Sequence, residues 1–168
     1  YPLNAYGASK LEGERAIAAT GARALVFRTS WVYGLRGQNF LLTIRRLAAE
    51  REVLSIVADQ IGVPNWSRTL AEATARIVGA GLPAAAERAG LYHLSSTGQA
   101  SWHDFARAIV GAAPRPTIEP IATAGYPTPA RRPAYGVLAT TRFETTFGFA
   151  LPVWRDALAR CLASAERY

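Results

Sequence analysis

Methionine is absent from this 168-residue sequence, and cysteine and lysine occur once each. Without methionine the chain has no initiator residue at Tyr1, which predicts a trimmed product or the back half of something larger. The lone Cys161 excludes an internal disulfide. Its apolar helical surroundings predict a small core residue rather than a nucleophile. No run approaches ~18 consecutive apolar residues, so a membrane-crossing helix is excluded. The opening Tyr1-Pro2-Leu3-Asn4 has neither a basic nor an apolar leader segment. No signal peptide is therefore expected, and a cytoplasmic setting is the default. No G-x-G-x-x-G occurs, so the phosphate cradle for any bound dinucleotide would lie upstream of Tyr1.

What is present is arginine. All but one of the 19 basic residues are Arg, and the exception is Lys10. In a sequence that uses guanidinium wherever a generic cation is wanted, a sole ammonium points to a role needing a compact, rotatable donor. The net charge of +7 suits an anionic partner, a phosphorylated small molecule included. Only Arg45-Arg46 and Arg131-Arg132 are adjacent, and no basic arm or recognition-helix signature occurs. No nucleic-acid partner is expected.

Along the chain, Asn4 is placed to cap a helix running to about Thr20, with Gly21 as its stop. Ala24 to Ser30 begins as an apolar run of the buried-parallel-strand kind. A helix from about Asn39 to Glu50 and a strand from Val53 to Ala58 follow, then an irregular turn at 60–64. Leu70, Ala73, Ile77 and Val78 mark a further helix, and 83–90 reads as a surface linker. Leu91 to Leu94 is a short strand. Ser101-Trp102-His103-Asp104 has capping-box form and opens another helix. A strand at Thr117 to Ile121, a Pro-rich loop at 123–133 and two terminal helices complete the pattern. These are near Thr140 to Phe147, ended by Gly148, and from Pro152. Alternating strands and helices predict an α/β fold with a parallel sheet.

Tyr6 and Lys10 lie four residues apart, so they share one helix face with Gly13 and Ile17. A tyrosine hydroxyl ordinarily titrates near ~10. An ammonium one turn away stabilises the phenolate, which makes the hydroxyl a usable proton donor to a carbonyl being reduced. The same ammonium can donate to ribose hydroxyls, and Gly7, Ala8 and Ser9 leave room for a cofactor. His93 and His103 read as structural, and no His/Cys cluster has metal spacing.

The run Pro2 to Glu14 resembles the active-site helix of the extended short-chain dehydrogenase/reductases, and among them the dTDP-4-dehydrorhamnose reductase family. Arg28-Thr29-Ser30-Trp31-Val32-Tyr33-Gly34, Asn39-Phe40 and Asp59-Gln60-Ile61-Gly62-Val63-Pro64 continue the resemblance. So do Gly90 to Leu94, Trp102 to Ala106 and Tyr126 to Pro133. It implies an α/β fold made of the C-terminal portion of such an enzyme. Residues 1–60 would form the second half of a Rossmann-type NAD(P)-binding domain, missing its N-terminal half. Residues 61–168 would form mostly a substrate-binding region, with elements returning to the sheet.

The implied reaction reduces the C4 keto group of dTDP-4-dehydro-L-rhamnose with NADPH or NADH. Tyr6 would give the proton, and Lys10 would hold the nicotinamide ribose. Thr29 and Ser30 would contact the cofactor, and Trp31, Asn39, Gln60 and Arg132 the nucleotide sugar. After Arg132-Pro133 the run Ala134-Tyr135-Gly136 departs from the family's usual small residue followed by Asn-Ser. Some relatives form a Mg2+-linked homodimer through acidic residues. Arg68 stands near where one is expected, so no metal ligand is assigned. The same fold also serves as a non-catalytic regulatory subunit of methionine adenosyltransferase; the intact Tyr6–Lys10 pair favours the enzyme.

Overall fold

The computed structural model describes residues 2–130 and 132–165. Helix α1 (Ala5–Ala19) starts where Asn4 accepts a hydrogen bond from the Gly7 N–H at 2.9 Å and stops at Thr20. It leads into β1 (Leu25–Arg28), which pairs in parallel with β6 (Gly90–His93), Phe27 facing Tyr92 in register. The two-residue β2 (Val32–Tyr33) pairs in parallel with β5 (Asn65–Trp66). The strand β3 (Val53–Val57) pairs in parallel with β8 (Thr117–Ile121), and β4 (Ile61–Gly62) pairs antiparallel with β7 (Ala100–Ser101). Among the described strands, three of the four pairs are therefore parallel, as the alternating pattern predicts.

The remaining helices are α2 (Phe40–Glu50), α3 (Ser67–Gly79), α4 (Leu82–Glu87), α5 (Trp102–Val110), α6 (Thr141–Phe147) and α7 (Trp154–Ala165). They cover the strands in two groups. Helix α5 lies on β3 and β8 with α2 beside it, and α7 packs on β5. Phe105 is fully buried at the centre of this group, with ring centroids 5.1 Å from Tyr33, 5.4 Å from Phe40 and 6.0 Å from Trp154. The second cluster joins Phe27 and Tyr92 of the β1–β6 pair to Phe143 and Phe147 of α6 and to Ala73 and Ile77 of α3. Each fully buried large side chain contributes roughly 1.5–3 kcal/mol. Both clusters draw residues from either side of residue 60, so neither half of the chain packs alone.

Three sequence expectations are corrected. Residues 83–90 are not a linker: α4 forms because Pro83 sits in its first turn and three alanines follow, with Ala85 buried. The 60–64 turn contains β4 and leads into β5, strands too short to show a period of two and paired with distant segments. The last helix begins at Trp154 rather than Pro152, because Val153 bridges to Thr97. Cys161 is fully buried, and burial pushes its thiol up to about 11. Among the described residues no helix is long and apolar enough to cross a membrane.

At the start of α5 both halves of the capping box form. The Asp104 N–H donates to Ser101 Oγ and the Ser101 N–H to the Asp104 carboxylate, each at 3.0 Å. The donated Ser101 N–H, and then its hydroxyl, hold the Asp104 carboxyl below the usual carboxylate range. A depressed folded value means a contribution present above pH ~4 and lost as pH falls through it. Urea melts should therefore show Asp104→Asn about 1 kcal/mol less stable than the native chain at neutral pH. The gap should close on acidification; a gap independent of pH would contradict this role.

Candidate active site

Helix α1 buries none of its residues, yet among the described residues an ion pair fastens it to the sheet. Arg28, at the end of β1, grips Glu14 with two parallel hydrogen bonds, Nε to Oε1 at 2.7 Å and Nη2 to Oε2 at 2.6 Å. The bidentate pair holds the Glu14 carboxyl low and the Arg28 guanidinium high. The helix face thus fixed carries Tyr6, Lys10, Gly13 and Ile17, as the spacing predicts. Together with Val26, Phe27 and Thr29 of the β1 segment, and Leu138 beyond, they line an open cavity of about 920 Å³.

The Lys10 Nζ stands 5.3 Å from the centre of the Tyr6 ring, and Tyr6 is 72% exposed. Glu12 pairs with Arg15 and Glu14 with Arg28, so the acids of this helix are occupied. Lys10 makes no ion pair with a described carboxylate. The cavity wall therefore offers a phenolic hydroxyl close to an ammonium that no described carboxylate pairs with.

The chain leaves β1 through a turn. Thr29 faces the cavity, Ser30 is half-buried, and Trp31 has a φ of +45°. The Trp31 ring stacks on Trp102 with centroids 3.6 Å apart and planes 12° from parallel. It lies so close over β4 that a Cβ on Gly62 would come within 2.5 Å of it; only glycine fits there. Behind the turn, Asn65 is fully buried. Its amide nitrogen donates to Ser30 O at 2.8 Å and to Val63 O at 3.0 Å, with Ser95 Oγ at 3.2 Å. Its Oδ1 accepts from the Ser96 N–H at 2.6 Å.

The remaining sequence candidates sit elsewhere. Asn39 caps α2, accepting from the Leu42 N–H and donating to Gly34 O and Arg36 O, so its side chain closes the Gly34–Gly37 loop. It borders a separate cavity of about 450 Å³ with Tyr33 and Arg68. Gln60 is buried and donates to the Thr123 hydroxyl, while the neighbouring Asp59 accepts from the Thr123 N–H and hydroxyl. Those two Thr123 donors hold the Asp59 carboxyl low. Arg132 is exposed, and Arg131 lies outside the described residues. Arg68 pairs with Glu72. Among the described residues, no group of three or more His, Cys, Asp or Glu is arranged to hold a metal ion.

The cavity thus unites Tyr6, Lys10 and Thr29, with Ser30 and Trp31 on the adjoining turn. Sequence reading missed Asn65, the Glu14–Arg28 pair and the partnership of Trp31 with Trp102. One signal was available: Asn65 is a lone polar residue inside Gly62-Val63-Pro64-Asn65-Trp66, and a buried amide must find partners.

A family model described as RmlD substrate binding domain matches residues 1–167. The chain is 50% identical over 173 residues to a dTDP-4-dehydrorhamnose reductase of Burkholderia thailandensis, covering 96% of this chain and 58% of that protein. Among solved structures it is similar to a dTDP-4-dehydrorhamnose reductase of Bacillus anthracis in complex with NADP. The TM-score is 0.87 and the identity 34%, over 98% of this chain and 56% of that one. A Clostridium acetobutylicum dTDP-4-dehydrorhamnose reductase ortholog gives a TM-score of 0.89 at 31% identity, over 99% and 57%. The chain spans little more than half the length of the relatives it matches.

If Arg28–Glu14 is the tether of α1, Glu14→Gln should speed amide hydrogen exchange across 5–19 and leave α5 unaffected. A partly exposed bidentate pair contributes about 1 kcal/mol, so the acceleration should be severalfold. Unchanged exchange over α1 would show that the helix is held by something else.

Proposed function

Because the chain belongs to the RmlD substrate-binding domain family, we propose that it carries the proton-donating and sugar-binding side of a dTDP-4-dehydrorhamnose reductase. The observation that carries this reading is the sharing of one open cavity by Tyr6, Lys10 and Thr29, with Lys10 in no ion pair among the described residues. An NAD(P)H bound beside them would supply hydride to C4 of dTDP-4-dehydro-L-rhamnose.

This chain's own residues do the rest. The Tyr6 hydroxyl donates its proton to the C4 oxygen as that oxygen gains negative charge, and the resulting phenolate regains a proton from solvent. The Lys10 ammonium stabilises the phenolate while it exists and donates hydrogen bonds to the nicotinamide ribose. The open wall along Gly13 gives the cofactor access, and the residues present fit its ribose end; the sequence holds no G-x-G-x-x-G for its phosphates. Thr29 and Ser30 border the nicotinamide, and Trp31 the sugar ring. They stand at the C-terminal end of a parallel strand, where ligands of such sheets bind.

Arg132, exposed beside the segment that pairs with β4 through Tyr135, is assigned to the sugar nucleotide's diphosphate. Asn39 and Gln60 act by holding the loops that border the substrate, since their amides are already engaged within the chain. Residues 1–60 are assigned mainly to the cofactor side and 61–168 mainly to the substrate side. The reaction is assigned to the cytoplasm.

The test is Tyr6→Phe in the full-length protein. We expect NADPH oxidation with the 4-keto sugar nucleotide to fall by at least about a hundredfold while cofactor affinity is kept. Undiminished turnover would overturn the role of Tyr6, and lost cofactor binding would assign it to binding instead.

A further inference from the structure

Among the described residues, Trp31 alone combines a side chain with a positive φ. A bulky residue does not hold the left-handed region unaided; surrounding contacts must fix it there. Those contacts converge from both sides of its peptide units. Ser30 O accepts from the Asn65 side chain at 2.8 Å, and Trp31 O accepts from the Asn65 backbone N–H at 3.1 Å. The indole itself is seated by Gly62 below and Trp102 alongside.

Asn65 also reaches the exit of β6, accepting from the Ser96 N–H at 2.6 Å. It therefore spans the C-terminal ends of two neighbouring parallel strands, β1 and β6, from a fully buried position. Only an amide of this length donates and accepts at once over that span. A carboxylate cannot donate to Ser30 O and Val63 O, and a serine hydroxyl is too short to reach both exits.

We propose that Asn65 is a positioning residue that locks the Ser30–Trp31 turn, so that Trp31 is a preset wall for the sugar of the substrate. The inference rests on the sugar-facing role assigned to Trp31 above. In this account Asn65 touches neither substrate nor cofactor. It acts by removing the conformational freedom that Trp31 would otherwise lose on binding. Trp102 completes the device, because the stack defines the ring's tilt and leaves Trp31 half-buried rather than enclosed.

Trp31 and Trp102 are the one tryptophan pair in ring contact among the described residues, so their exciton couplet, carried by the strong far-ultraviolet indole band, reports the turn directly in circular dichroism. The Trp31→Phe and Trp102→Phe variants define that signal. We expect Asn65→Asp to abolish the couplet while helicity read from the infrared amide I band and cooperative unfolding persist; Asn65→Ser, which carries no buried charge, serves if Asn65→Asp does not fold. A folded variant at this position with the native couplet would overturn the proposal.

In the full-length protein the same variant should raise KM for the sugar nucleotide about tenfold, the effect of losing a net hydrogen bond or two. KM for the cofactor should stay unchanged. A fall in kcat with the sugar KM unchanged would also overturn the proposal. Trp31→Phe with an unchanged sugar KM would refute the sugar contact itself, and the couplet would still decide whether Asn65 sets the ring.

Discussion

A single buried amide ties the chain leaving β1 and the chain leaving β6 to β5. Asn65 belongs to β5, but its side chain bonds the backbone leaving β1 and the backbone leaving β6, and its own N–H bonds Trp31 O. The two apolar clusters set how much surface is buried; they do not specify how β1 meets β5, because apolar contact is not directional. The amide supplies that direction. Leaving its partners unsatisfied would cost on the order of 1–3 kcal/mol for each buried group, which makes slipped arrangements expensive. Since Ser30 and Trp31 stand on the turn that this amide closes, strand arrangement and turn geometry are one constraint here.

The charges follow a related logic. A chain with net charge +7 must keep its arginines from repelling one another, and it does so locally. Arg15 is paired with Glu12, Arg28 with Glu14, Arg46 with Glu50, and Arg68 and Arg160 both with Glu72. Other guanidiniums lie over aromatic faces: Arg76 over Phe149 at 4.1 Å and Arg155 over Trp154 at 4.4 Å. Exposed pairs of this kind add little stability each. Their effect at the cavity is to occupy the acids of α1, so that no described carboxylate pairs with Lys10.

Local chemistry was legible in the sequence, and long-range chemistry was not. The cap at Asn4, the capping box at Ser101 and Asp104 and the left-handed Gly148 at the end of α6 each follow from residues within a few positions of one another. So does the shared face of Tyr6 and Lys10. Helix α4 was not legible because six residues are too few to show a helical period, although Pro83 stands at its first turn. Strands β4, β5 and β7 escaped because two residues carry no periodicity, and their partners lie more than thirty positions away. Asn65 escaped because its partners at 30, 95 and 96 are distant in sequence and come together only once the strands do. Trp31 was legible as a residue at a strand's end, but neither its left-handed backbone nor its stack on Trp102 was.

The central claim is that the Tyr6–Lys10 face and the locked Trp31 turn form two walls of one preset pocket. The most direct measurement is a crystal structure of the full-length protein with NADP and a dTDP-sugar bound. The account predicts the nicotinamide ribose within hydrogen-bonding reach of Lys10 Nζ, and the sugar between Tyr6 and Trp31. It also predicts a residue-31 φ still positive, with Asn65 still bonded to Ser30 O. A nicotinamide lodged away from α1, or a Trp31 that swings off Trp102 to meet the sugar, would contradict it.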